Sequence, residues 1–301
     1  IDTCIVGDAS TCDQGQHETC RTEQGVSSCH CRPGYARRKH REPCRRIISV
    51  LVAMKVARVY DQPSPWTEDL LDSNSDDYLQ MEWEANKAID SAMSMTPYSD
   101  DFLGSRINSF KKINGKDMIV NATLEIIEGG GPLDGDRLQN HLIGVIRRRR
   151  NNIGDSALWV DSPEGAISPI MDLDECSDPS LNDCSVHADC TNVFGSFRCK
   201  CHDGLRDPAL PFGVLSTRDS PLGPEEERRI GRRCDTCSPQ VHCMSRGTCN
   251  YRKTGEVTCT CTGNFYGAQC EVDGEVVGVA VGASVAALVI IVLTLVFLCM
   301  W

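Results

Sequence analysis

The sequence predicts a multidomain chain: small disulfide-rich modules flanking a cysteine-free α+β domain, followed by one transmembrane helix. Three observations carry this. Of the 19 cysteines, 18 fall in three sets of six, and the odd one, Cys299, lies in the apolar C-terminal stretch. Between Cys44 and Cys176 there are none, and apolar residues there follow strand-like and helix-like periods in turn. Val276 to Trp301 carries no charge. A lipid hydrocarbon core takes about 20 apolar helical residues, and a soluble helix of this length would show a polar face.

The formal charge of −11 argues against nucleic acid as a partner and favours solubility. Ile1 opens neither on Met nor on a signal pattern, so the chain reads as a processed or excerpted piece. Trp301 ends it without a Lys/Arg cluster, and the positive-inside rule gives no orientation. The cysteines give one instead. An even set persists as disulfides only in an oxidising compartment. The expected topology is a single-pass type I protein of the cell membrane, its N-terminal part extracellular.

The first set is Cys4, Cys12, Cys20, Cys29, Cys31 and Cys44. The second is Cys176, Cys184, Cys190, Cys199, Cys201 and Cys234; the third is Cys237, Cys243, Cys249, Cys259, Cys261 and Cys270. In each, a single residue separates the fourth and fifth Cys, which makes an internal repeat. Six cysteines allow 15 pairings, so spacing alone leaves connectivity open. Zinc is the rival, but paired C-x-x-C knuckles are missing. The pattern closely resembles the EGF-like module, over residues 1–44, 172–234 and 237–270. That resemblance implies pairing of first with third, second with fourth and fifth with sixth. Gly34-Tyr35 and Gly204 follow the fifth Cys as in that family; the third module has Asn264 there, a mild departure because Asn tolerates left-handed backbone. Modules of about 40 residues bury too little apolar surface to fold without such staples. The 32 residues between Cys201 and Cys234 hold four prolines and a charge block, and read as a mobile surface loop.

In the middle domain, residues 45–163, Ile48, Val50, Val52, Met54 and Val56 alternate in a strand over 47–60. Leu79, Trp83, Ile89 and Met93 mark a helix over 76–95. Leu103 to Ile113 is a weaker strand, and Asn114-Gly115 signals a hairpin into Met118, Val120, Ala122, Leu124 and Ile126. Leu138, Leu142 and Ile146 give a second helix over 137–150, and Ala157 to Val160 a last short strand. The order βαββαβ suits a ferredoxin-like sandwich. FKKINGKDMIVNATLEIIEGG, Phe110 to Gly130, between such modules and a span resembles the SEA domain of membrane mucins and interphotoreceptor-matrix proteoglycans.

Many SEA domains cut themselves at a Gly-Ser bond in this hairpin. Here Gly115-Lys116-Asp117 stands instead and supplies no hydroxyl nucleophile, so the domain is expected to stay intact. The seven His are scattered and no Ser, His and acid share a frame, so no catalytic residues are assigned and the chain reads as a non-enzyme.

Asp172-Leu173-Asp174-Glu175 stands directly before Cys176, and Asn192 precedes Phe197, as in the calcium-binding variety of EGF-like module. Calcium takes six to eight hard oxygens. The resemblance implies side-chain oxygens from Asp172, Glu175 and Asn192 and carbonyls from Leu173 and Val193, with Asn192 also at the family's β-hydroxylation position; an acidic linker is the bland alternative. Asn121-Ala122-Thr123 is a sequon, with Asn121 and Thr123 on the outward side of the proposed strand, so Asn121 is expected to be glycosylated.

Arg37, Arg38, Lys39, Arg41, Arg45 and Arg46 form a field that a glycosaminoglycan could read, or a plain solvated surface. Arg147, Arg149 and Arg150 close the second helix, where positive charge offsets its dipole, and also resemble a basic processing site. Gly274, Gly278, Gly282 and Ala286 recur every four residues and allow a homodimer through the span; small residues are common in spans regardless.

The reading is a non-catalytic cell-surface protein for adhesion or extracellular-matrix anchoring, with an extracellular protein or glycosaminoglycan as partner and Ca2+ as cofactor. The alternatives are a membrane-bound precursor of an EGF-like signalling ligand and a glycosaminoglycan-binding receptor. Signalling ligands of that kind carry Arg before the sixth Cys and Leu soon after it; here Gln269 and Glu271-Val272-Asp273 stand there.

Overall fold

The computed structural model describes residues 3–63, 66–113, 117–129, 133–210, 229–252 and 256–301. They form two compact units, Ile1–Asp183 with Thr191–Phe197, and Cys184–Cys190 with Arg198–Trp301.

In the first unit, β1 (Glu18–Glu23) and β2 (Val26–Cys31) make a hairpin. Its two connecting residues, Gln24 and Gly25, are both left-handed, as a tight turn between twisted strands requires. Disulfides Cys4–Cys20, Cys12–Cys29 and Cys31–Cys44 staple it. The sulfurs of Cys4, Cys12 and Cys29 lie within 4.8 Å of one another, but all three are oxidised and offer no thiolate to a metal. Next, β3 (Tyr35–Ala36) pairs with the first residues of β4 (Arg45–Val56), so the first module runs into the main sheet without a break.

Val50, Val52, Met54 and Val56 of β4 alternate into the core. The strand predicted to reach Tyr60 ends at Val56. Ala57 donates its N–H to the Trp159 carbonyl instead, and β5 (Arg58–Val59) pairs with β6 (Gln62–Pro63) and with β9 (Leu158–Trp159) in a separate small sheet. Helix α1 (Asp76–Ser94) begins where the Ser75 hydroxyl accepts the Tyr78 N–H, a side-chain cap on one of the orphan donors. β7 (Phe102–Ile113) and β8 (Asp117–Ile127) follow; the predicted Asn114-Gly115 turn lies outside the described residues. Asp134 caps α2 (Gly135–Arg148), and β10 (Met171–Asp172) closes the main sheet.

The main sheet runs β10-β4-β8-β7, every neighbour antiparallel, and one core joins it to both helices. The closing strand is therefore not the predicted 157–160 segment. After α2, Arg150 and Asn151 are both left-handed and turn the chain towards β5. Only residues further on reach the edge of β4, first through Ala166 and Ser168 and then through β10. The face of α1 also differs from expectation. Leu79 and Trp83 are 50% and 59% exposed, while Tyr78, Met81, Ala85, Ala88 and Ile89 pack inward.

β11 (Ala188–Val193) and β12 (Ser196–Cys201) follow in the chain, and in the second unit the one-turn helix Pro239–His242 precedes β13 (Gly247–Tyr251) and β14 (Val257–Cys261). Cys184–Cys199, Cys201–Cys234, Cys237–Cys249, Cys243–Cys259 and Cys261–Cys270 are bonded, and Cys176 and Cys190 are oxidised too. Gly34 and Gly204 are left-handed, but in the third module Gly263 takes that conformation rather than Asn264. β15 (Phe265–Tyr266) pairs with β16 (Val272–Asp273), and the C-terminal helix Gly274–Met300 starts at the next residue. The Asp273 carboxylate caps it by accepting the Glu275 N–H, while Gly274 donates to the Asn264 carbonyl at 2.9 Å. At about 1.5 Å per residue the helix is long enough to cross a membrane, and from Val276 onward it carries no charge.

Candidate metal centre

The acidic stretch before Cys176 is extended at first, because Met171 and Asp172 pair with Leu51 and Val50 of β4. It then closes into a short 3-10 turn, Glu175–Ser177, whose N-cap is Asp174: its carboxylate accepts the Cys176 N–H. Two acidic residues thereby take different jobs. Asp174 satisfies backbone donors, whereas Glu175 is 5% exposed, a carboxylate drawn out of water. Asn182 donates its side-chain amide to the Glu175 carbonyl at 2.9 Å and fixes the turn. Beyond it, hydrogen bonds from the Ser180 backbone and hydroxyl hold the Asp178 carboxyl below its usual range.

Asp172 and Asn192, 20 residues apart, are brought together. Asn192 Nδ2 donates to Asp172 Oδ2 at 2.7 Å. The other carboxylate oxygen accepts the Gly195 backbone N–H at 2.5 Å. Turning the Asn192 amide over exchanges its N and O positions. The amide oxygen would then face the carboxylate, and both are hard oxygens of the kind that would hold a divalent cation. This donor set fits calcium, which takes carboxylate, amide and carbonyl oxygens. Leu173 and Val193, predicted to give carbonyls, are both half-buried beside these side chains in sequence.

Gly195 was not singled out from the sequence, although a glycine between two strand-like runs is a turn signal. It is left-handed, and a Cβ there would lie 2.5 Å from Ile48 Cγ2 on β4. Gly195→Ala is expected to cost about 1–3 kcal/mol through strain. Thermal unfolding followed by tryptophan fluorescence would show the midpoint falling by several degrees.

The other predicted residues are scattered. Asn121 lies on the outer face of the sheet, half-buried, and donates Nδ2 to Ser109 Oγ at 3.0 Å. Thr123 faces the same way but is only 1% exposed, because Asn108 covers it with a side-chain hydrogen bond at 2.9 Å. The basic field of the first module is partly consumed. Arg37 pairs with Glu18 at 2.6 Å, and Arg38 donates to the Asp100 and Phe102 carbonyls. Arg147 pairs with Glu164 at 2.7 Å at the solvated end of α2; Arg149 caps that helix and Arg150 follows in left-handed backbone. Gly278 and Gly282 are open to close approach, whereas a Cβ on Gly274 would lie 2.7 Å from the Asn264 carbonyl oxygen.

Compared with known proteins, the chain is 25% identical over 184 residues to the 63 kDa sperm flagellar membrane protein of Strongylocentrotus purpuratus, covering 60% of this chain and 37% of that one. It is 38% identical over 114 residues to Adhesion G protein-coupled receptor E2 of Canis lupus familiaris, covering 37% and 12%. It is 30% identical over 105 residues to Transmembrane cell adhesion receptor mua-3 of Caenorhabditis elegans, covering 34% and 2%. The chain thus spans little more than a third of the length of the first of these relatives and far less of the others. Residues 172–211, which hold Asp172, Glu175, Asn192 and Gly195, match the calcium-binding EGF domain, so this part of the chain binds Ca2+.

Proposed function

We propose that this is a non-catalytic, single-pass cell-surface protein of adhesion or extracellular-matrix anchoring, its N-terminal part outside the cell. One observation carries the reading: a calcium-binding EGF domain and a helix of membrane-spanning length, free of charge from Val276 onward, occur in one chain of oxidised modules. Two relatives, a flagellar membrane protein and a transmembrane cell adhesion receptor, support it. The ectodomain order is EGF-like (1–44), SEA (45–163), calcium-binding EGF-like (172–234) and EGF-like (237–270), ahead of the span (276–301). Support for a ferredoxin-like SEA domain comes from the antiparallel order β10-β4-β8-β7 and the two helices sharing its core. Asp172, Glu175 and Asn192 hold calcium by their side chains, Leu173 and Val193 by their carbonyls. Asn192 is the hydroxylation position, and Asn121 carries an N-glycan. The glycosaminoglycan alternative is weakened by the internal use of Arg37 and Arg38.

Cells displaying the full chain should be retained on a matrix coat in calcium and released by EGTA. Retention equal to that of untransfected cells overturns the reading. On a reducing denaturing gel the protein should run as one band, since no hydroxyl stands at Lys116 or Asp117 to attack the preceding carbonyl. Two fragments dividing near residue 115 would overturn that expectation.

A further inference from the structure

The last module and the first turn of the C-terminal helix are built as one piece. β15 pairs with β16 as Phe265 with Asp273 and Tyr266 with Val272, and Gly274 donates its N–H to the Asn264 carbonyl at 2.9 Å. Asn264 also donates Nδ2 to Glu275 Oε1 at 3.0 Å, one residue further into the helix. A Cβ placed on Gly274 would lie 3.5 Å from Tyr266 Cε1, so the tyrosine ring stands at the level where the helix begins. It is 48% exposed there. Beside it the Arg246 guanidinium lies over the Phe265 ring at 4.6 Å, and its Nη1 donates to the Glu271 carbonyl at 3.4 Å. Glu271, Asp273 and Glu275 bring three carboxylates to the same stretch. Hydrogen bonds from its own backbone N–H and from that of Gln269 hold the Glu271 carboxyl below its usual range, so it is ionised at neutral pH.

We propose that this end of the last module is a docking surface for zwitterionic phospholipid, with the Tyr266 ring in the headgroup layer, the Arg246 guanidinium meeting lipid phosphate and the carboxylates meeting choline. This rests on the membrane span proposed above. Height decides the occupant. The charge-free run starts at Val276, two residues beyond Gly274, which is about 3 Å of helix. Headgroups form a layer about 5–8 Å deep on each side of the hydrocarbon. A helix that enters hydrocarbon at Val276 therefore carries Tyr266, through its packing on Gly274, inside that layer. Tyrosine suits the place, with an apolar ring and a polar tip. Charge decides the lipid. One guanidinium among three carboxylates leaves an excess of negative charge, which repels an anionic headgroup and accepts one that carries both a phosphate and a quaternary ammonium. The face of the Tyr266 ring attracts that ammonium as well.

The test uses the full chain in nanodiscs made of equal parts phosphatidylcholine and phosphatidylglycerol. Tyr266→benzoylphenylalanine is irradiated and its lipid adducts are identified by mass spectrometry; Leu288→benzoylphenylalanine, within the span, reports the bulk lipid. Position 266 is expected to favour phosphatidylcholine over phosphatidylglycerol about 5-fold more than position 288 does, the effect of about one charge near a membrane surface. Glu275→Gln should lower that ratio, and Arg246→Gln should raise it. Lipid adducts at 288 with none at 266 overturn the docking surface and leave the span standing. No lipid adduct at either position takes both down. Equal ratios at 266 and 288, unmoved by the two charge variants, overturn the zwitterionic occupant and the proposal with it. Should the 266 variant not fold, the unsubstituted protein with its six tyrosines isotopically labelled answers the same question. Gadolinium chelated at the lipid headgroups should broaden the Tyr266 ring signal, assigned by its loss in Tyr266→Phe, and an unbroadened signal overturns the proposal.

Discussion

Replacing Phe110 with alanine is expected to destabilise the α+β domain by about 3–5 kcal/mol, the cost of an aromatic deletion in a packed core. Phe110 is 2% exposed and meets Tyr78 of α1 edge-on, with ring centroids 5.1 Å apart. It sits on β7, the edge strand of the main sheet, so its ring joins that edge to the helix above. Its loss leaves a cavity beneath Tyr78 and removes the main apolar contact of that half of the strand. Chemical denaturation should show a lower midpoint with little change in slope. A loss under 1 kcal/mol would mean that α1 collapses into the gap and that the strand is held by its hydrogen bonds alone. Trp83→Ala on the same helix is the control. That side chain is 59% exposed, with the Lys87 ammonium over its ring, so its removal should cost a small fraction of the Phe110 effect.

Glu175→Gln is the second large effect, and it acts on binding. The substitution keeps shape and removes one negative charge from a buried carboxylate. With Glu175 a ligand, as proposed, losing its charge beside the cation costs about 2 kcal/mol or more, so calcium affinity should fall by about 30-fold or more. Asp174→Asn should differ in kind. Asp174 caps the 3-10 turn, and asparagine caps nearly as well, so its affinity loss should be much the smaller. Calcium titration of the two variants separates ligand from cap. Equal losses would show that the acidic stretch acts as a diffuse field and not as a coordination site.

The sequence made much of this legible where a pattern repeats over many residues. β8 places Met118, Val120, Ala122, Leu124 and Ile126 at every second position, and each of these is buried. The cysteine sets are as plain, because a single residue between the fourth and fifth Cys leaves little room for accident. Reading failed where a short element is defined by its partner. Met171–Asp172 is two residues long and one of them is charged, so no alternation announces a strand there; β4 makes it one by offering an open edge. Leu79 and Trp83 misled because helical spacing does not say which stripe faces inward. In α1 the small residues Ala85, Ala88 and Ala92 let the helix approach the sheet, and the bulky pair points away. The candidate site divides the same way. Acidic residues before Cys176 are visible as a run, but Gly195 matters through its distance to Ile48, which only the folded chain supplies.

The last module meets the C-terminal helix with no spacer, since Asp273 ends β16 and caps the helix, and Gly274 is bonded back to Asn264. With that helix in a bilayer, only Glu271, Val272 and Asp273 would separate it from the disulfide between Cys261 and Cys270. A membrane-bound protease that needs a slack, extended stretch beside the lipid would find nothing to grip. Tension applied from outside would reach the bilayer through hydrogen bonds and a cystine, not through an entropic tether.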